Sequence, residues 1–298
     1  MKSILIIGAT GGRGSAVINA LLARNAKFDI LAVTRNTSSA SAQKLAAKSP
    51  NIKLVQGNLN DPEALFKIAE SLVDEPIWGV FSVQVSRGKE VAQGNALVDT
   101  ALKHSVSHFV YSSVDRGGPR SFENPTDIPH FITKHNIEHY LVASTKGTEM
   151  NWTILQPAAF MENFGNNFIG KLFAKTWQVY LKEKPLQLVS MIDIGVFAAD
   201  AFLDPVEYKS KSLPLAGSEL TFQQANAIFK KKTGKDLPLT FSFISYVLRS
   251  LFKDLGYMFR FFRDEGFGAN ITELKKMHPG LLDFGTWLDK ESKYETNK

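Results

Sequence analysis

Three glycines near the start of the chain have the spacing of a loop that binds phosphate groups. Gly8, Gly11 and Gly14 follow an apolar run at residues 4–7 and precede a stretch with helical periodicity. Such glycines allow a tight turn and a close approach of phosphate to the backbone, and the following helix directs its first N–H groups at the anion. Because a strand precedes the motif and a helix follows it, we predict a dinucleotide site. The loop residues assigned to it are Gly8, Ala9, Thr10, Gly11, Gly12, Arg13 and Gly14.

The residues at the end of the second predicted strand indicate which dinucleotide is bound. About 20 residues after the last glycine, an acidic residue would bind a ribose 2′-hydroxyl and repel a 2′-phosphate. This chain has Arg35 there, and a planar guanidinium suits a phosphate. The neighbouring amide and hydroxyl donors are Asn36, Ser38 and Ser39. We therefore predict NADP(H) rather than NAD(H); the alternative is that Arg35 only extends its charge into solvent.

Two further strand ends complete the predicted cleft, because ligands of open α/β sheets lie outside the carboxyl ends of the strands. Asn58 and Leu59 follow the third predicted strand, where an amide could meet the edge of the adenine. Gln84, Val85 and Ser86 follow the fourth strand, near the expected position of the nicotinamide ribose.

Lys134 and His130 lie one helical turn apart and are the candidate catalytic residues. In an ordinary short-chain dehydrogenase, a lysine four residues after a tyrosine lowers the pKa of the phenol and binds the nicotinamide ribose, so that the tyrosine can pass a proton to the substrate. Here the lysine is present, but His130 takes the place of the tyrosine. Two cations on one helical face would repel each other, which favours a neutral His130.

Three interpretations of this pair stay open. In the first, Lys134 only binds the ribose and nothing transfers a proton, as in a sensor. In the second, His130 or Lys134 acts as a general acid beside Ser112 or Ser113, and the chain is an NADPH-dependent reductase of a small carbonyl, quinone or enone. In the third, the fold is a scaffold that has lost its cofactor, and the intact glycine motif argues against this.

The elements that must position these residues alternate along the first half of the chain. Strands are predicted at residues 4–7, 30–33, 53–56, 77–83, 108–112 and 152–155, and helices at 13–24, 63–72, 89–104 and 128–143. Strands that are apolar throughout and alternate with helices indicate a parallel sheet covered on both faces. We predict an α/β fold with a doubly wound parallel (Rossmann) sheet and a small, mostly helical C-terminal lobe. One domain is expected over residues 1–298, with 1–156 mainly binding the dinucleotide and 157–298 mainly forming the lobe.

The composition argues against several other classes of protein. The chain has no cysteine, which excludes disulfides and thiolate ligands, and its histidines lack metal-ligand spacing, so no metal is expected. The net charge of +6 comes from scattered residues, and we expect no direct binding of nucleic acid. Residues 239–262 are apolar at helical spacing and interrupted by charges, which predicts an amphipathic helix rather than a membrane span. Without a secretory leader, a cytoplasmic location is expected, and a nuclear one stays open.

Beyond these features, the chain resembles the NmrA-like family of atypical short-chain dehydrogenases/reductases. The matching segments include GATGGRG, VQGNLNDPEAL, FVYSSVDRGG and ILQPAAFMENF, and the C-terminal MFRFF stretch is similar to the NADP(H)-sensing branch of that family. The resemblance implies a regulator that responds to the NADP(H) ratio and passes it to a protein partner; a small-molecule substrate and a homodimer stay open. It also implies that Lys134 contacts the cofactor, together with Phe160, Met161, Glu162 and Asn163.

Overall fold

The computed structural model describes residues 1–85, 88–241 and 253–296. The chain divides into two compact units. The first unit comprises Met1–Ser113, Thr133–Leu155 and Ile192–Leu213. The second comprises Val114–Ile132, Gln156–Met191 and the described residues from Pro214 onward. Each unit therefore draws on both halves of the sequence, and the expectation of one domain with a division near residue 156 stays a prediction.

A parallel sheet forms the centre of the first unit. Its strands are β1 (Ser3–Ile6), β2 (Asp29–Thr34), β3 (Ile52–Gln56), β4 (Ile77–Ser82), β5 (His108–Ser112) and β6 (Asn151–Pro157). These pair in parallel in the order β3-β2-β1-β4-β5-β6, and Lys211–Leu215 lies at the edge beside β6. The order reverses direction between β1 and β4, the point at which doubly wound sheets bind ligands. The predicted Rossmann fold is confirmed.

Helices connect and cover these strands. In chain order, the described α-helices are α1 (Gly12–Ala23), α2 (Ala40–Ala46), α3 (Pro62–Glu70), α4 (Glu90–Lys103), α5 (Pro129–Ser144), α6 (Phe168–Leu181), α7 (Met191–Leu203), α8 (Pro205–Tyr208), α9 (Phe222–Thr233), α10 (Lys253–Asp264), α11 (Ile271–Met277) and α12 (Phe284–Lys290). Short 3-10 helices span Gly118–Arg120 and Met161–Asn163.

The core of the first unit follows from the apolar strands, which are buried on both faces. Leu5 of β1 is fully buried in one cluster with Leu97 of α4 and Ile137 of α5. Most of α7 also belongs to this unit and packs tightly on α1, since a Cβ added at Gly195 would lie 2.4 Å from the backbone carbon of Ala16. A glycine is therefore required at that helix contact.

The second unit contains a three-stranded sheet and an aromatic core. Its strands β7 (Ala159–Phe160), β8 (Leu186–Val189) and β10 (Ser218–Leu220) have the order β10-β8-β7, and the strand Lys211–Leu215 is β9. Phe164 contacts the rings of Phe173, Trp177 and Phe284 at centroid distances between 5.3 and 5.5 Å. Such ring pairs contribute about 0.5–1.5 kcal/mol each beyond the burial of their area.

The six predicted strands and four predicted helices of the first half agree with the structure to within two residues. The sequence patterns do not predict α2, in which only Ala42 and Leu45 are buried, or strands β7 to β10, which are two to five residues long. The predicted helix at 239–262 corresponds at its end to α10, while residues 242–252 lie outside the described residues. Within the described ranges, no helix has the length and apolar character needed to cross a membrane.

Candidate functional site

The glycine loop between β1 and α1 has the geometry of an anion cradle. Gly8 has a φ of +68°, in the left-handed region that favours glycine, and its carbonyl accepts a hydrogen bond from the Gly11 N–H at 2.9 Å. A Cβ added at Gly14 would lie 2.3 Å from the Gly8 oxygen, so α1 can approach β1 only with a glycine there. Gly11 is the N-cap of α1 and has no side chain to accept from the first N–H groups of the helix. Gly8, Thr10, Gly11 and Gly12 are exposed, whereas Ala9 is buried.

The loop after β2 presents Arg35 and uses its polar neighbours to hold its own shape. Arg35 is exposed and makes no hydrogen bond or ion pair with any residue that the structure describes. The Asn36 side chain accepts from the Ser38 N–H at 2.9 Å. The Ser39 hydroxyl donates to the Asn36 carbonyl at 2.9 Å and accepts from the Ala42 N–H at 3.3 Å as the N-cap of α2. The guanidinium is therefore exposed and available to a phosphate.

The loops after β3 and β4 differ in burial. Asn58 is exposed and its side chain accepts from the Asn60 N–H at 2.8 Å, while Leu59 packs against the core of the first unit. Gln84 is buried and donates to the Ser82 hydroxyl at 2.8 Å. Its Oε1 is also buried and has no hydrogen-bond partner within the described part of the chain. Val85 is exposed, and Ser86 lies outside the described residues.

A buried ion pair holds Lys134 in the first unit. Lys134 Nζ donates to Glu90 Oε1 at 2.9 Å, and the Thr133 hydroxyl donates to Glu90 Oε2 at 2.5 Å. Lys134 is 8% exposed and Glu90 2%. Sequence reasoning missed Glu90, because 44 residues separate it from Lys134 and no local pattern connects the first turn of α4 with α5.

A second cation lies near this pair. Arg13 is half-buried, and its Nη1 donates to the Ser112 hydroxyl at 3.1 Å, so the guanidinium reaches from the glycine loop to the carboxyl end of β5. Burial lowers the pKa of Lys134, and the positive charge of Arg13 lowers it further, while Glu90 and Glu138 act in the opposite direction. Burial likewise lowers the pKa of Arg13.

His130, the second candidate catalytic residue, belongs to the second unit and has different surroundings. Its Nδ1 is 3.4 Å from Asp254 Oδ2, and its ring stands edge-on to Phe131 at a centroid distance of 4.8 Å. About a quarter of its side chain is exposed. The role of His130 as a proton donor stays a prediction.

The segment that carries the other predicted cofactor contacts lies in the second unit. Met161 is fully buried, and Phe160 and Asn163 are half-buried. Glu162 Oε1 accepts from the Ser190 hydroxyl at 3.0 Å and from the Met191 N–H at 2.9 Å. The carboxylate therefore stabilises the start of α7. Contacts of these four residues with a cofactor stay a prediction.

Part of the FVYSSVDRGG motif has a structural role within the second unit. The buried Asp115 carboxylate accepts from Gly118 N–H at 2.6 Å, from Ser121 hydroxyl at 2.7 Å and from Gly268 N–H at 2.7 Å. A Cβ added at Gly118 would lie 2.3 Å from the Gly268 oxygen. Asp115 therefore fastens the loop that follows β5 to the turn at residues 266–269, a link across 153 residues of sequence.

Features of the first unit fit a nicotinamide dinucleotide. The N-terminus of α1, whose N-cap Gly11 has no side chain, suits a pyrophosphate, and the guanidinium of Arg35, which pairs with none of the described residues, suits a 2′-phosphate. The buried Oε1 of Gln84 has no donor among the residues that the structure describes, which costs about 1–3 kcal/mol unless a ligand or water supplies one. All three features lie in loops at the carboxyl ends of β1, β2 and β4.

Comparison with known proteins agrees with this fold. The model of the NmrA-like family matches residues 1–288. An NmrA-like family domain-containing oxidoreductase of Aspergillus flavus, lnaB, is 28% identical over an alignment of 308 positions, which covers 92% of this chain and 88% of that protein.

Two solved structures of proteins described with NADP or NADPH have the same fold. NmrA, described as a negative transcriptional regulator in complex with NADP, superposes with a TM-score of 0.70 at 18% identity and covers 97% of this chain and 95% of its own. The NADPH-dependent quinone oxidoreductase QOR2 of Escherichia coli has a TM-score of 0.71 at 20% identity, with 97% and 98% covered. Since the family model spans nearly the whole sequence, the chain belongs to the NmrA-like family.

Proposed function

We propose that this chain binds NADP(H) and acts as a redox-responsive regulator. The glycine loop would hold the pyrophosphate at the N-terminus of α1, and Arg35 would pair with the 2′-phosphate, with Asn36 and Ser38 beside it. Lys134 would bind the nicotinamide ribose. The bound cofactor would supply a nicotinamide ring that accepts or donates hydride. NmrA and QOR2, with which the chain shares its fold, are described with NADP and NADPH.

The observation that carries the regulatory role is the state of Lys134. Its ammonium is buried and bonded to the buried carboxylate of Glu90, and the position one turn earlier holds a histidine instead of a tyrosine. A proton donor must lose its proton and regain it in each turnover. If Lys134 lost its proton, the Glu90 carboxylate would be left buried without its cation, which is strongly unfavourable. A lysine in this setting is suited to binding rather than to proton transfer.

A second candidate function is an NADPH-dependent reductase of a small carbonyl, quinone or enone. It is supported by the relative named an oxidoreductase in Aspergillus flavus and by the quinone oxidoreductase of the same fold. Within this chain, His130 is the residue that favours it, because the ring is partly exposed and can exchange protons with solvent. In that case the proton donor is His130 and not Lys134.

Cofactor choice is tested by titrating the protein with NADPH and NADH and following intrinsic fluorescence or calorimetric heat. We expect NADPH to bind more tightly than NADH, and Arg35→Ser to remove the difference because the 2′-phosphate loses its cation. Arg120→Ser, at an exposed arginine of the second unit, is the matched control and should preserve the preference. Equal affinity of the unmodified protein for both cofactors contradicts the assignment of NADP(H).

An assay of NADPH oxidation distinguishes regulation from catalysis. Quinones, aldehydes and enones are supplied as acceptors, and the nicotinamide absorbance monitors the oxidation of NADPH. The regulator is expected to bind NADPH and reduce none of the panel, and its amide hydrogen exchange should differ between the NADPH and NADP+ complexes. Turnover that His130→Ala abolishes while NADPH still binds would establish the reductase instead. The same experiment with Lys134→Ala shows whether the lysine is needed for binding alone.

A further inference from the structure

Glu90 occupies an unusual position for a carboxylate. It is the first residue of α4, six positions after Gln84 in the chain, and only 2% of it is exposed. Each of its oxygens accepts a hydrogen bond from α5, one from Lys134 at 2.9 Å and one from Thr133 at 2.5 Å. Residues with a charged side chain are rarely buried to this extent unless they are paired. The pairing connects the helix after the β4 loop to the helix that carries the lysine.

The charged and titratable groups around Lys134 come from four elements. Arg13 approaches from α1, and its positive charge opposes that of the ammonium. The centroid of the Tyr111 ring in β5 lies 5.9 Å from Lys134 Nζ, at the outer limit of a cation–π contact. Glu138 lies one turn further along α5 and favours the ammonium through its charge. Glu90 contacts the ammonium directly, since Nζ donates to its Oε1 at 2.9 Å.

We propose that Glu90 is the positioning residue of the cofactor site, which fixes the Lys134 ammonium in place and keeps it protonated. The assignment rests on the proposed function insofar as Lys134 binds the cofactor. Glu90 would act through the lysine and through Thr133, the two residues that donate hydrogen bonds to its carboxylate. The chain needs such a residue because the long lysine side chain has many rotamers and stands next to a second cation.

An exposed ion pair in the same unit shows what is particular to Glu90. Lys103 Nζ donates to Glu63 Oε1 at 2.8 Å, nearly the same distance as in the Lys134–Glu90 pair. About a third of the Glu63 side chain is exposed and about two thirds of that of Lys103. Exposed pairs contribute little because water replaces the lost partner. Removal of a buried partner leaves the other charge uncompensated.

The test is an NMR titration of the Lys134 side chain in the protein without cofactor, with isotope-labelled lysine. The Lys134 resonance is identified as the signal that is missing from the spectrum of Lys134→Arg. In Glu90→Gln we expect the pKa of Lys134 to fall by about one unit or more, a tenfold or larger loss of proton affinity. Glu63→Gln is the matched control and should leave the Lys134 titration unchanged. An equal pKa of Lys134 in the unmodified protein and in Glu90→Gln overturns the proposal.

Cofactor binding supplies the second measurement and separates the two proposals. NADPH should bind about tenfold more weakly to Glu90→Gln than to the unmodified protein and equally well to Glu63→Gln. If the unmodified protein binds no NADPH, the proposed function fails, while the titration still decides the role of Glu90. If Glu90→Gln does not fold, Glu90→Asp withdraws the carboxylate by one methylene. A Lys134 titration in Glu90→Asp that matches the unmodified protein then overturns the positioning role.

Discussion

Mild acid is expected to destabilise the fold through His108, the first residue of β5. The imidazole is 1% exposed, and its Nε2 lies 3.0 Å from the Thr153 hydroxyl. That hydroxyl donates to the Tyr208 carbonyl at 2.8 Å, so its proton is already used and His108 must donate from Nε2. The neutral tautomer therefore carries no proton on Nδ1, which is buried and has no hydrogen-bond partner among the described residues. Protonation at Nδ1 would create a buried, unsatisfied cation.

The magnitude follows from the shift in the pKa of His108. Burial lowers it from 6.5 to about 4. Between these values the unfolded chain binds a proton that the folded chain does not, so the free energy of unfolding decreases as the pH falls through this window. At about 1.4 kcal/mol per unit, the full loss is about 3 kcal/mol by pH 4. Well above pH 6.5 the imidazole is neutral in both states and His108 contributes no pH dependence.

Urea denaturation at a series of pH values between 7.5 and 4 measures this loss. His108→Gln retains a side-chain N–H that can donate to Thr153, and it does not titrate. Between pH 6.5 and 4 its free energy of unfolding should therefore fall by about 3 kcal/mol less than that of the unmodified protein. His278→Gln, at a half-buried histidine of the second unit, is the control and should retain the slope. If His108→Gln and the unmodified protein lose the same free energy between pH 6.5 and 4, the assignment to His108 is wrong.

Three further outcomes can be measured on single variants. Gly14→Ala should prevent tight binding of NADPH and lower the free energy of unfolding by about 1–3 kcal/mol, because its Cβ would overlap the Gly8 oxygen at 2.3 Å; calorimetry and urea denaturation measure both. Arg13→Met should raise the pKa of Lys134, since the repelling charge is removed, and the lysine NMR titration detects the change. Asp115→Asn should cost at least about 1.5 kcal/mol in urea denaturation, because hydrogen bonds to a buried charge are lost.

The sequence predicts the first half of the fold well for a physical reason. Strands buried on both faces must be apolar throughout, and helices on a sheet repeat their apolar residues every turn, so both leave a local pattern. The strand limits His108–Ser112 agree in full with the prediction. The contact of α7 with α1 leaves no such pattern, because it depends on a small residue at Gly195 meeting Ala16 across the unit. Helix α2 is short and buries only Ala42 and Leu45, and its Ser39 cap suits a phosphate as well as a helix N-terminus.

The residues of the candidate site differ in the same way: some belong to a local sequence pattern, whereas others depend on partners that are distant in the sequence. The glycine loop is local, and its spacing alone indicates a close approach of backbone and ligand. Asn36 and Ser39 carry groups that suit either a phosphate or a turn, and the structure uses both in the loop itself. Glu90 could not be found at all from the sequence, since an ion pair between two helices depends on how the helices pack. Tertiary partners of a recognised residue therefore have to be read from the structure.

Proton transfer and cofactor binding make opposite demands on Lys134. A reductase that used Lys134 as its acid would have to separate the ammonium from Glu90 in each cycle and leave a carboxylate that is 2% exposed without its cation. A binding protein needs the ion pair to persist. The contact with Glu90 therefore favours the protonated lysine, and under our proposal a proton delivered during a reduction would come from His130, which is partly exposed. If turnover is found, its dependence on His130 and its independence of the Lys134 titration would follow from the same buried pair.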